Sequence, residues 1–200
     1  MKRIGFAFAV VAAAALSSCA EVQKPAYPVG RPTAPQPPPP PPTPLDEFAW
    51  SAQRGTNGLA AVVNYRPRAG ERWSCAGSSV GLTPETSYSR NRIQTLYGAT
   101  ERTIQTVAEV RARSAANAGL DYGQFVKSTS CDAKDSFVFQ GLPDGAWFLI
   151  VRVRPISAAG QPTGEGVVIM QRIELRGGGT RQISLPTASP SAAAPVRRTN

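Results

Sequence analysis

Apolar residues along 45–187 follow first a strand-like, then a helix-like, then again a strand-like spacing. Residues 58–65 (GLAAVVNY) form a β-branched run closed by turn residues at 66–70, and shorter strand candidates follow at 72–75 and 78–82. From Asp135 onward, Phe137 and Phe139 alternate with Ser136, Val138 and Gln140. Leu142-Pro143-Asp144-Gly145 then turns the chain into a long apolar strand at 146–153. A final pair, 166–175 and 180–185, is joined by Gly177, Gly178 and Gly179 and predicts a hairpin whose tip needs positive φ. About seven short strands between turn signals predict a mainly β protein, an immunoglobulin-like or transthyretin-like antiparallel β-sandwich over residues 45–187.

The spacing changes at 83–120, which predicts a helical insertion. Ser87 is placed to cap a first helix carrying Ile93, Leu96 and Tyr97 and ended by Gly98. Thr100 is placed to cap a second stretch in which Ile104, Val107, Ala108 and Ala115 recur at helical spacing before Gly119. Val107, Val110 and the neighbouring threonines fit a strand as well, so helix and strand both stay open there.

The flanks set an address. Lys2 and Arg3 precede an apolar run from Ile4 to Leu16, as in a signal peptide covering residues 1–18. Thirteen residues make about 20 Å of helix, short of the ~30 Å hydrocarbon core of a bilayer. Leu16-Ser17-Ser18-Cys19 resembles a bacterial lipobox, which implies cleavage before Cys19 and a lipid on its sulfur. Ordinary signal cleavage is the alternative. Ala20, in place of an aspartate that would signal retention at the inner membrane, points to the periplasmic face of the outer membrane. Eleven of the nineteen prolines lie between Pro25 and Pro44. Residues 19–44 are thus expected to be a lipidated N-terminus and a polyproline II spacer reaching about 60 Å, and residues 188–200 a disordered tail.

Composition removes whole classes of chemistry. The chain has no histidine, which excludes a Ser-His-Asp triad, a Cys-His dyad and a His-ligated zinc. The net charge of +9 shrinks in the folded region, where 16 Lys and Arg face 12 Asp and Glu. Its arginines look scattered, so nucleic acid is not an expected partner. Cys75 and Cys131 are the cysteines left after Cys19, an even number in an oxidising compartment, and predict a disulfide; neither a metal nor a cofactor is expected. Asp132, Asp135 and Asp144 read as turn residues, with a glycosidase-like carboxylate pair as the rival. Trp50, Trp73 and Trp147 read as core, with sugar stacking as the rival.

Two stretches carry a resemblance. Residues 74–89 (SCAGSSVGLTPETSYS) and 131–148 (CDAKDSFVFQGLPDGAWF) resemble the carboxypeptidase regulatory-like domain, a transthyretin-like sandwich, over roughly residues 58–185, with Asp135 standing where glycine is usual. The resemblance implies a domain that accompanies or anchors other proteins and has no catalytic residues of its own. The expected function is therefore a non-catalytic binding or scaffolding module and not an enzyme. Its rivals are a subunit of a larger secretion or transport assembly of the envelope and an enzyme with a carboxylate-only site. The insertion carries Tyr88, Arg90, Arg92, Tyr97, Arg102, Arg111 and Arg113, residue types enriched in binding hot spots. It is the expected docking surface for an acidic cell-wall or envelope-protein partner, unless it simply covers one sheet.

Overall fold

The computed structural model describes residues 43–186. Among them the strands are β1 (Asn57–Val63), β2 (Trp73–Ser74), β3 (Ser79–Pro84), β4 (Arg102–Thr106), β5 (Lys127–Ser130), β6 (Ser136–Leu142), β7 (Gly145–Pro155), β8 (Val167–Leu175) and β9 (Gly179–Leu185). The helices are α1 (Ser87–Tyr97) and α2 (Val107–Ala116), with short 3-10 turns at Asp46–Ala52 and Gly123–Phe125. A three-stranded sheet in the order β6-β1-β9 faces a six-stranded sheet in the order β4-β8-β7-β3-β5, with β2 paired to β7. Among the described residues no helix is long and apolar enough to cross a membrane.

Alternation builds the space between the sheets. Leu59, Ala61 and Val63 of β1 and Phe137 and Phe139 of β6 point inward, while Val62 and Val138 between them stay 42% and 49% exposed. They meet Val80 and Leu82 of β3, then Trp147, Leu149, Val151 and Val153 of β7, in one buried cluster with Ile169, Ile173, Leu175 and Leu185. The expected sandwich with its helical insertion is therefore present.

The other face of the larger sheet is covered by α1, whose Ile93, Leu96 and Tyr97 pack on Phe148, Val168 and Met170. Glu85, at the end of β3, accepts hydrogen bonds from Arg90 of α1 and from Arg172 Nε of β8 (2.6 Å for the latter), tying helix to sheet. Phe48 is fully buried outside the main core and stacks with Tyr122 (5.2 Å, 9°) and Phe125 (5.3 Å, 18°). Glu47 beside it accepts the Ser87 backbone N–H at 3.0 Å and the Ser87 hydroxyl at 2.6 Å. Those bonds, the hydroxyl's first, hold its carboxyl below the ordinary value. These contacts pin residues 46–52 to the start of α1.

Three expectations need correction. Residues 166–175 and 180–185 do not form a hairpin. The open edge of β8 is taken by β4, from Arg102↔Gln171 to Thr106↔Val167, and β9 crosses to the other sheet to pair with β1 in parallel. Gly177, Gly178 and Gly179, with φ of 75°, 78° and 83°, make that crossover, since three successive left-handed residues are accessible to glycine alone. The stretch from Thr100 to Gly119 is strand and then helix. Arg102–Thr106 pairs with β8, and Thr106, not Thr100, caps α2 by accepting from the Glu109 N–H while the Glu109 carboxylate accepts from the Thr106 N–H. In α1 the cap is likewise Thr86 and not Ser87, with Ser89 completing the reciprocal pair.

Candidate functional site: the groove around Trp73

The chain leaves β1 at Tyr65, turns through Pro67 and Gly70, and returns as β2, only two residues long, with Trp73 opposite Pro155 at the far end of β7. Trp73 stays half-buried because β2 lies at the margin of the sheet. Its Nε1–H donates to Glu71 Oε2 at 3.1 Å, and Arg68 Nη1 donates to Glu71 Oε1 at 3.0 Å. These bonds, the tryptophan's first, hold the Glu71 carboxyl below its ordinary value. The Tyr65 ring stands edge-to-face against Trp73 at 5.2 Å and 86°. The indole N–H is thus satisfied from within, and what the half-exposed ring offers to solvent is apolar carbon.

Two open concavities flank the indole. One of about 580 Å³ runs past Arg68, Glu71, Pro155 and Ser157, and the other of about 380 Å³ past Arg66, Ser74, Asp135 and Pro162. Arg72, Trp73 and Ile156 line both, so they form one groove across this pole of the sandwich. Arg66 and Arg72 make no ion pair or side-chain hydrogen bond among the described residues.

Asp135 builds the floor. It is the one non-glycine residue with positive φ (59°) among those described, and its Oδ1 accepts from the Ser74 hydroxyl at 2.5 Å and the Cys75 N–H at 2.8 Å. Beneath it Cys75 and Cys131 form the expected disulfide, with Cα atoms 5.7 Å apart and both residues buried. The two sulfurs and the Asp135 carboxylate lie within 4.8 Å of one another, yet metals bind thiolates, and these sulfurs are bonded to each other.

The carboxylate-pair alternative does not assemble. Asp132 Oδ1 accepts from the Lys134 and Ser136 N–H groups at 2.8 Å each, a turn-forming role. Asp144 accepts from Asn57 Nδ2 at 2.8 Å at the opposite end of β6 from Asp135, about 23 Å away at ~3.3 Å per residue. Of the three tryptophans, Trp147 is fully buried, Trp50 packs against it at 5.0 Å and 67°, and Trp73 alone lines the groove.

Most of the residues expected to form a docking surface on the insertion have partners within the domain, while Arg102 and Arg111 stay exposed. Tyr97 is core, 7% exposed, and burial pushes its hydroxyl up to about 12. Tyr88 packs on Phe48 and Tyr122, and its hydroxyl accepts the Leu120 N–H at 2.5 Å. Arg90 is held by Glu85, Arg92 donates to the Asn117 carbonyl, Arg111 pairs with Glu165 at 2.5 Å, and Arg113 donates to the Leu96 carbonyl at 3.0 Å. Arg102 lies on the edge strand β4. Arg90 and Arg111 tie the insertion to the end of β3 and to the loop before β8, while Arg92 and Arg113 tie α1 and α2 to each other. Cys19, the spacer up to residue 42 and the tail at 188–200 lie outside the described residues.

The groove residues Arg66, Glu71 and Arg72, and Tyr65 that packs on Trp73, are not among the site residues that the sequence alone singles out. A signal existed: in YRPRAGERW, residues 65–73, three arginines fall in seven positions between two aromatics, the densest basic cluster of the folded region.

No protein-family model matches the sequence, and no curated protein matches it. Among solved structures, the chain is similar to a putative carbohydrate binding protein from Pseudomonas aeruginosa. Identity is 17% and the TM-score 0.49, over 72% of this chain and 97% of that one.

Proposed function

We propose that this protein is a non-catalytic binding module, held at the envelope membrane by a lipid on Cys19 and a proline spacer, and that it takes a saccharide in the groove at Trp73. The observation that carries the reading is the half-exposed indole, its N–H already bonded to Glu71, between two open concavities lined by charged groups. A pyranose presents an apolar C–H face and a rim of hydroxyls. The ring stacks on the indole while arginine donors and the Glu71 acceptor reach the hydroxyls. Acid–base hydrolysis needs a protonated carboxyl facing a carboxylate across the bond; Asp135 and Asp144 stand at opposite ends of β6, and Glu71, which shares the groove with Asp135, is held in its ionised form by the Trp73 N–H and Arg68.

Saturation-transfer NMR on the full-length lipidated protein in micelles, against a panel of soluble oligosaccharides, tests this. Transfer to sugar ring protons is expected with the wild type and with Arg111→Ala, and is expected to vanish with Trp73→Ala. No transfer to any member of the panel, or equal transfer with Trp73→Ala, overturns the reading.

A further inference from the structure

Resting on that saccharide reading, we propose that the groove selects acidic saccharides, with Arg66 and Arg72 pairing a carboxylate of the ligand. The two arginines differ from the others named here. Arg68 is neutralised by Glu71 at 3.0 Å, and the guanidinium groups of Arg90, Arg92, Arg111 and Arg113 each have a partner inside the domain. Arg66 and Arg72 line a concavity and make no ion pair among the described residues. A guanidinium is a fixed fork of donors matched to a planar carboxylate, and a pair so placed beside a stacking ring reads a ring substituent as well as a charge.

The balance of the lining decides between a carboxylated saccharide and a polyphosphate. Glu71 and Asp135 also face the groove, so three arginines are opposed by two carboxylates. A phosphate chain has no hydroxyl to offer the Glu71 carboxylate and meets only its repulsion, whereas a saccharide uses that carboxylate as an acceptor for its hydroxyls.

The groove and the N-terminal segment of the domain occupy opposite ends of β7. Trp50 packs on Trp147 and against Gly145 at the start of β7, and Phe48 is locked beside α1, so the chain enters the domain at that pole. Trp73 pairs with Pro155 at the other end of β7, about 26 Å further along the strand at ~3.3 Å per residue. The groove therefore lies at the opposite end of β7 from the point where residues 46–52 join the domain.

Titration calorimetry of the full-length lipidated protein in micelles, at low salt, separates this from the reading beneath it. The probes are trigalacturonate, its neutral methyl ester and inorganic phosphate. The acid is expected to bind at least tenfold tighter than the ester, and Arg66→Gln with Arg72→Gln is expected to abolish that preference, bringing acid and ester to the same affinity. Millimolar phosphate is expected not to displace the acid. Equal binding of acid and ester by the wild type overturns the selectivity and leaves saccharide binding standing, as does full preference for the acid in the double variant. Displacement by phosphate shows a general anion site and overturns it too. Binding of neither saccharide overturns both proposals.

Discussion

Across 61 positions of sequence, the Asp135 carboxylate accepts the Ser74 hydroxyl at 2.5 Å, and through the adjacent Cys75 N–H it fixes the strand that carries Trp73. One residue thereby does two things. Its left-handed backbone (φ 59°) ends the turn before β6, and its side chain joins that turn to the groove. Aspartate tolerates this conformation better than most residues, which is why it stands where glycine is expected.

The two roles come apart by substitution. Asp135→Gly and Asp135→Ala both lose the bonds to Ser74 and Cys75, but only alanine pays left-handed strain of about 1–2 kcal/mol, partly offset by the larger unfolded-state entropy of glycine. In urea unfolding, Asp135→Ala is expected to be less stable than Asp135→Gly by about 1 kcal/mol. An alanine variant as stable as the glycine one contradicts the backbone role.

The Cys75–Cys131 bond closes a loop with a separation of 56 residues, worth about 4 kcal/mol in the chain-entropy model. Reduction under native conditions is expected to lower the urea midpoint accordingly. Because the bond underlies Asp135, it is also expected to weaken binding at Trp73 several-fold before global unfolding. Unchanged stability after verified reduction contradicts the first expectation, and unchanged affinity the second.

Phe48 is the fastening of the N-terminal segment. Its fully buried ring stacks on Tyr122 and Phe125, so Phe48→Ala is expected to cost about 3 kcal/mol, in the range of buried aromatic truncations. The loss is local. Hydrogen exchange is expected to rise over residues 46–52 and 122–125 while β7 stays protected, and a uniform rise across the sheets contradicts this.

How far the sequence was legible follows from the range of each interaction. The strands around Phe137, Phe139 and 146–153 show in the sequence because a period of two and a turn are local facts. The destination of β9 does not, since it depends on β4 occupying the edge of β8, and the residues of β4 themselves satisfied two periodicities. Arginines on the insertion look like an interaction surface because exposure of a guanidinium is assumed from its type. Glu85, five residues from Arg90, engages one of them instead, and Glu165 and two backbone carbonyls, 17 to 54 residues away, engage others. The groove shows least, since Trp73 differs from Trp147 only in burial.

Alkaline stability carries the signature of Tyr97. Burial, then the neighbouring Tyr122, raises its hydroxyl to about 12 from an ordinary 10, so the neutral form is favoured in the fold. Its contribution is complete below pH 10 and is lost as pH rises towards 12, by at most about 2.7 kcal/mol at ~1.36 kcal/mol per unit. Unfolding free energies measured from pH 9 to 12 are expected to fall less steeply for Tyr97→Phe than for the wild type, Tyr122 supplying part of the remaining slope. Identical slopes contradict the assignment.

The central claim, that Trp73 is the ligand platform, is tested most directly by its indole resonance. The chain has three tryptophans and so gives three indole N–H signals in a ¹⁵N correlation spectrum of the full-length protein in micelles, assignable by Trp73→Phe and Trp50→Phe. On titration with trigalacturonate the Trp73 signal is expected to shift saturably, with Trp147, sealed in the core, unmoved. A saturable shift confined to Trp50 or Trp147, or no shift at all three while the saccharide binds, places the site elsewhere.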